Sequence, residues 1–483
     1  MRLRLPSIVL TLLLGLSIPF HATAQSIALP DFGDPSRRYL SAGDERRLGS
    51  AVLQRLRNQG VIIDDVQLNE YLDSVGQRIA AYTDQTGHPF TFFLVRDPSI
   101  NAFAAPGGFI GVHSGLLLAT QSEDELAGVI AHEIAHVSQR HISRTFADAQ
   151  RLSLPVAAAM LASVLVAAID RQAGQAALAG TLAASAQRRI NFTRANEQEA
   201  DRIGTQLLYQ AGFDPNGMAA FFRRLERLSG SSTAQLPEYL RTHPLPANRI
   251  ADTQDRFNRR PAPRTPQDNA AYYLTKARTR VLTTPNTGNL LREYRTTLAK
   301  GDYADETAER YGYALALKRA GRYPDAQEQI TLLRKDDPDR LAFLVEEADI
   351  ALAKGDRERA WRLFEDAKGL YGDDFTLVMH YGQALAVQGD PHKAMEILQP
   401  QLRRRTNDAP LYALYAQAAQ RAGETATTHA TLAEYYYLNG ELHSAIEQAE
   451  LGLQNPQATP YQQAQLRARL RQFKEEAEAQ EQH

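Results

Sequence analysis

A chain of 483 residues with no cysteine and a formal net charge of −2 has room for two or more domains and forms no disulfide. Any metal it holds must be bound by histidine and carboxylate side chains rather than thiolates. The near balance of 54 basic and 56 acidic residues excludes the basic excess that marks a nucleic-acid-binding surface.

The chain opens MRLRLPSIVLTLLLGLSIPFHATAQ, with a basic start at Arg2 and Arg4, an apolar run ending near Phe20 and an Ala22-Thr23-Ala24 cleavage pattern. Residues 1–24 read as a secretory signal peptide rather than an uncleaved anchor helix, because the apolar run is short. Its removal takes away two arginines and no acid, giving a net charge of −4 on an exported chain. Residues 43–58 and 66–83 then carry helical periodicity, the second through Leu68, Tyr71, Leu72, Val75 and Ile79. Residues 90–97 are rich in strand formers, and two short apolar runs flanking Pro106-Gly107-Gly108 predict a hairpin. An edge of such a sheet is either ordinary core or a rail along which an extended peptide is hydrogen-bonded.

The following helix holds His132, Glu133 and His136 in the order H-E-x-x-H. Four residues are little more than one helical turn, so the two imidazoles share a face and can share a metal. Glu133 is turned about 100° away, where it can act on water beside the metal. The bland alternative is a surface helix with two solvated histidines. Against it, Ser122 and Glu125 form a capping-box pattern, and Leu126, Val129, Ile130, Ile134 and Val137 recur at core spacing. Ala131 and Ala135 leave space for a second helix. His141 is not the third ligand: the longer H-E-x-x-H-x-x-G-x-x-H pattern needs Gly at 139 and His at 142, where this chain has Gln139 and Ile142. On a continuous helix His141 would also point about 140° away from His136.

Residues 152–169 form an uncharged 18-residue run, and a second small-residue stretch follows to 187. Alanine is a weak membrane residue and Pro155 interrupts the run, so a helical hairpin packed on the protein or resting at a membrane surface is preferred to a spanning segment. The third ligand is expected in TRANEQEADRIGTQLLYQAGF, residues 193–213. With Asn196 as N-cap, Glu197 lies in the first turn and Asp201 one turn later on the same face. Two histidines and one glutamate are an established catalytic zinc set, and Asp201 is placed to hold a ligand imidazole through its second nitrogen. Ala200 and Gly204 keep that helix slim enough to pack against Ala131 and Ala135.

Residues 255–268 are a charged, proline-rich linker. Beyond it Gly321, Gly355, Gly389 and Gly423 are each 34 residues apart, as are Ala314, Ala348, Gly382 and Ala416, and likewise Ala326, Ala360 and Ala394. That is the tetratricopeptide period, which predicts paired helices over residues 269–480 stacked into a solenoid that binds peptides or other proteins. Tyr371, Tyr381, Tyr412, Tyr415 and Tyr435 to Tyr437 are expected mostly as packing between repeats, with some facing the groove.

HEIAH, the EQEADRIG helix, the upstream NAFAAPGG and the downstream RTHPLPANR together resemble metallopeptidase family forty-eight. The resemblance implies a mainly α fold: a gluzincin-type zinc metalloprotease domain with a small β-sheet over residues 25–254, followed by an all-α tetratricopeptide solenoid. It implies one zinc per chain on His132, His136 and Glu197, with Glu133 as catalytic base. It also draws attention to His243 and Arg249. His243, held extended by the following proline, is expected to stabilise an oxyanion in one loop state and to occupy the fourth metal position in another; Arg249 either aids the oxyanion or forms a salt bridge. By resemblance, the function is periplasmic degradation of stalled or misassembled outer-membrane β-barrel proteins, with the barrel-assembly complex as partner of the repeats and peripheral membrane contact left open. The alternative is a tetratricopeptide chaperone whose protease is mostly autoinhibited.

Overall fold

The computed structural model describes residues 41–83, 89–148, 194–230, 237–243, 249 and 269–481. The expected signal peptide, the 152–187 hairpin and the 255–268 linker lie outside the described residues. Among the described residues, no helix is long and apolar enough to cross a membrane.

The first helix, α1 (Ala42–Asn58), starts at a reciprocal capping box between Ser41 and Asp44. α2 (Val66–Ala80) is capped by Asp65, whose carboxylate accepts from the Leu68 N–H. It stops short of the expected residue 83, at Ala80, its last core contact. The strand formers then build β1 (Thr91–Val95), β2 (Ala102–Ala105) and β3 (Phe109–His113). Their order is β1-β3-β2, with β1 parallel to β3 and the expected hairpin joining β2 to β3. At its turn Gly107 has φ +74°, and a Cβ there would lie 2.5 Å from the Cα of Arg46, so glycine lets α1 sit directly on the turn.

After the short α3 (Ser114–Ala119) comes α4 (Glu123–Ser138), buried along nearly its whole length. It packs against α2, β2 and two later helices, α6 (Arg194–Gln210) and α7 (Asn216–Gly230). The close approach rests on small residues. A Cβ on Gly204 would lie 3.1 Å from the Ala131 carbonyl, and one on Gly128 would lie 2.7 Å from the Cα of Met218. Two local expectations are corrected. Ser122 caps the Glu125 N–H, but the Glu125 carboxylate takes the Gln121 N–H and Arg224 instead of closing a box. Asn196 is no N-cap, because α6 already includes Arg194 and Asn196 sits in its first turn.

From Asn269 onward the only regular elements among the described residues are helices: α9 (Asn269–Thr283), α10 (Thr287–Lys300), α11 (Glu306–Arg319), α12 (Tyr323–Asp336), α13 (Leu341–Ala353), α14 (Arg357–Tyr371), α15 (Phe375–Gln388), α16 (Pro391–Arg404), α17 (Ala409–Arg421), α18 (Thr425–Leu438), α19 (Leu442–Gln454) and α20 (Pro460–Glu481). Sequential pairs pack in series, giving the expected helical-repeat solenoid. Ala314, Ala348, Ala326, Ala360 and Ala394 are buried where helices cross. Gly321, Gly355 and Gly423 take positive φ in the turns, but Gly389 does not: its φ is −120°, and a Cβ there would lie 3.1 Å from Trp361. Tyr381 stacks on Phe364 at 4.9 Å, and Tyr437 stacks on Phe473 at the same distance, the packing role expected of them.

Part of the solenoid is turned inward onto the first half of the chain. Arg278 of α9 holds Asp65 through two hydrogen bonds, and Arg405 holds Glu70 of α2 with both contacts at 2.7 Å. Between them Gln67 of α2 meets Tyr311 and His380. α2 therefore has one face in the core beneath α4 and the other against the repeats.

Candidate metal centre

The H-E-x-x-H spacing does locally what the helix geometry requires. His132 and His136 lie on the face of α4 that meets α6, and their Nε2 atoms converge to 2.9 Å. Glu197 comes from the first turn of α6, with Oε2 3.5 Å from His132 Nε2 and Oε1 3.5 Å from His136 Nε2. His243, which ends α8 (Glu238–Thr242), brings Nδ1 to 3.1 Å from Glu197 Oε1 and 3.4 Å from His132 Nε2. Each of these four side chains offers one ligand atom within 4.8 Å of the others, and all four are buried.

This donor set suits zinc. Imidazole nitrogens converging with a carboxylate in a closed pocket call for a shared cation, and two histidines with one glutamate are a catalytic zinc set. Glu133 lies beside it, fully buried, and neither of its carboxylate oxygens makes a hydrogen bond of normal geometry. A buried carboxylate whose nearest charged contact is His243 Nε2 at 3.6 Å is under-satisfied, and a reacting group would complete it. Burial raises the Glu133 carboxyl above its usual range, opposed by His243, by His132 and by the nearby backbone of Ala104 on β2.

Carboxylates also lie against the imidazoles of the donor group. Asp201 Oδ1 is 3.0 Å from His132 Nδ1, in an ion-pair contact rather than a well-aligned hydrogen bond. Burial would lower the His132 imidazole, but Asp201 and Glu197 carry it up to about 9. Burial would likewise raise Glu197, yet His243 and His132 hold it well below the ordinary carboxylate range. Arg249 takes the salt-bridge role of its two readings: it binds Asp201 at 2.6 and 2.7 Å and Glu197 at 2.9 Å.

Three features were missed in the sequence. His141 is indeed outside the donor set, but not because a continuous helix carries it away. α4 ends at Ser138, Arg140 adopts a left-handed φ of 53°, and α5 (His141–Asp148) starts afresh, which brings His141 Nδ1 to 2.8 Å from His136 Nδ1. A non-glycine residue there costs on the order of 1–3 kcal/mol and persists only where surrounding contacts impose it. Tyr239, buried with no hydrogen-bond partner for its hydroxyl, stacks on His243 at 4.7 Å. Glu199 accepts from His141. The E-x-E spacing of Glu197 and Glu199 was visible in the sequence; the turn that makes it meaningful was not.

Residues 66–256 match the model of Peptidase family M48. The chain is 34% identical over 472 residues to the beta-barrel assembly-enhancing protease of Escherichia coli K12, covering 97% of this chain and 96% of that one. It is 35% identical to a putative beta-barrel assembly-enhancing protease of Vibrio cholerae over 89% of each chain. Over 38% of its length it is 31% identical to the mitochondrial metalloendopeptidase OMA1 of Schizosaccharomyces pombe, covering 52% of that protein. With a buried donor group of three histidines and a glutamate in the matched region, the chain belongs to Peptidase family M48 and is a zinc metalloendopeptidase.

Proposed function

We propose that this protein is a periplasmic endopeptidase that removes stalled or misassembled outer-membrane β-barrel proteins and assists their assembly. The observation that carries the reading is the buried Glu133 carboxylate, without a hydrogen bond of normal geometry, beside the donor group of His132, His136 and Glu197. The substrate class rests on the name of the Escherichia coli relative, matched over nearly all of both chains. The periplasmic location rests on the signal-peptide pattern of residues 1–24 together with an outer-membrane substrate. Residues 25–254 form the peptidase unit and 269–480 the repeat unit that engages substrate or the barrel-assembly complex.

In this reading His132, His136 and Glu197 hold the metal. When bound there, zinc supplies a Lewis acid that acidifies water and polarises a carbonyl. Glu133 takes the proton from water and passes it to the departing amine; a raised carboxyl pKa brings its proton affinity closer to that task. Asp201 orients His132, and Arg249 fixes Asp201 and Glu197 together. β2 is the strand of the sheet nearest α4, and its Ala104 backbone approaches Glu133. An extended substrate strand added there would lie across the site, and unpaired strands of an unfolded barrel suit that mode.

One observation favours a second reading. His243 lies among the donors and reaches within 3.6 Å of Glu133, so the site is closed in this arrangement. A chaperone with its protease mostly held off would look like this. Zinc content and cleavage of an unfolded β-barrel protein by wild type and Glu197→Ala test the main reading. Stoichiometric zinc with cleavage, both lost in the variant, supports it; zinc retained in the variant removes Glu197 from the ligand set. Full rescue of outer-membrane integrity by Glu133→Gln would favour the chaperone.

A further inference from the structure

The two histidines assigned to the metal are supported in different ways. His132 has a carboxylate, Asp201, at its second nitrogen. His136 has a second imidazole: His141 Nδ1 lies 2.8 Å from His136 Nδ1, and His141 Nε2 lies 3.0 Å from Glu199 Oε2. His141 is fully buried, and both of its ring nitrogens have named partners. Arg144 meets the same Glu199 oxygen at 3.4 Å.

Proton counting fixes the direction of this chain of contacts. Two Nδ1 atoms at hydrogen-bond distance share one proton, so one donates and one accepts. If His136 offers its Nε2 lone pair to a metal, its own proton is on Nδ1, and His136 is the donor. His141 must then accept at Nδ1 and carry its proton on Nε2, which faces the carboxylate of Glu199. Every donor meets an acceptor, and the opposite assignment would put a proton on the His136 nitrogen that faces the donor set.

The placement is built rather than incidental. The left-handed turn at Arg140 swings His141 under His136, and the Arg140 guanidinium is clamped by Glu45 of α1 at 3.0 and 2.5 Å. Ser143, in the first turn of α5, donates to the same carboxylate. The strained turn is thus held from a separate element, which explains how it persists.

We propose that His141, backed by Glu199, is a positioning residue that sets the tautomer and orientation of His136 for metal binding. The proposal rests on the assignment of His136 as a ligand. Loss of such outer support typically weakens metal affinity about 10–100-fold.

The test is zinc affinity of the full chain by competition with a chromophoric chelator, for wild type, His141→Phe, His141→Gln and Glu199→Leu. His141→Phe is expected to weaken zinc binding about 10–100-fold, and Glu199→Leu to weaken it in the same direction by less. His141→Gln should recover most of the affinity, because its amide can accept from His136 and donate to Glu199, whereas a role in packing alone would not be restored by a polar group. Wild-type affinity in both His141→Phe and Glu199→Leu overturns the proposal, as does a glutamine variant no better than phenylalanine. Should His141→Phe fail to fold, the partly exposed Glu199 decides alone: unchanged affinity in Glu199→Leu overturns the relay. Glu197→Ala run alongside separates the two levels. Zinc binding that survives Glu197→Ala refutes the ligand assignment, while loss there with no effect at 141 and 199 refutes only the relay.

Discussion

Arg249 grips Asp201 with two hydrogen bonds, Nε to Oδ2 at 2.6 Å and Nη2 to Oδ1 at 2.7 Å, and its third nitrogen reaches Glu197 at 2.9 Å. All three side chains are buried, so removing the cation strands two carboxylates out of water. Arg249→Leu should lower unfolding stability by about 3–5 kcal/mol in denaturant titration. Arg249→Lys should recover only part of it, because an ammonium cannot fork across both acids. Full recovery with lysine would show that charge alone, not the fork, is needed.

Glu133 is outside the donor group and lies beside it, with His243 at 3.6 Å and no hydrogen bond of normal geometry to its carboxylate. Glu133→Gln should therefore keep its zinc and lose about 10²–10⁴-fold in peptide hydrolysis. Elemental analysis and casein cleavage, measured on the same preparation, check both halves. A variant that loses its zinc would mean that Glu133 helps to hold the metal.

His243 stacks on Tyr239 and sits between Glu133 and the ligands. If that closed arrangement dominates, an open form makes up about 10% of molecules or less, and His243→Ala should raise cleavage of an unfolded protein at least about tenfold. A fall in rate would instead assign His243 to stabilising the oxyanion. No change in either direction would remove it from the reaction.

Glu346 of α13 accepts from both Arg278 and Lys318, while Arg278 also holds Asp65 on the peptidase side. Burial alone would raise the Glu346 carboxyl, but Lys318 and Arg278 hold it down to about 2. A carboxyl lower in the folded than in the unfolded state adds stability that is present above its unfolded value and is lost as pH falls through the folded one. Glu346→Gln should cost about 3 kcal/mol near neutrality. The gap to wild type should then narrow below pH 4.5 and close near pH 2 in pH-dependent denaturant melts. A gap that is constant with pH would mean the loss comes from packing rather than charge.

Much of the candidate site was legible because its spacings are local. His132 and His136 are one turn apart on a helix, as are Glu197 and Asp201, so their shared faces follow from 3.6 residues per turn whatever the rest of the chain does. The 34-residue series of glycine and alanine likewise reports one repeating unit, since each small residue marks the same helix crossing. Gly389 departs from its series in φ, because at that position the constraint is contact with Trp361 rather than the turn.

The ligand types, their one-turn spacings, the hairpin ahead of the metal helix and the repeat period were determined by the sequence itself, because each depends only on neighbours along the chain. The tertiary structure alone decided the rest. It put His243 among the candidate donors, broke α4 at Arg140 so that His141 meets His136, and turned the repeats inward so that Arg278 and Arg405 close on α2. Arg405 and Glu70 are 335 residues apart in the chain. No periodicity encodes a pairing over that distance, which exists only when the packing of both units brings two charges to the same place.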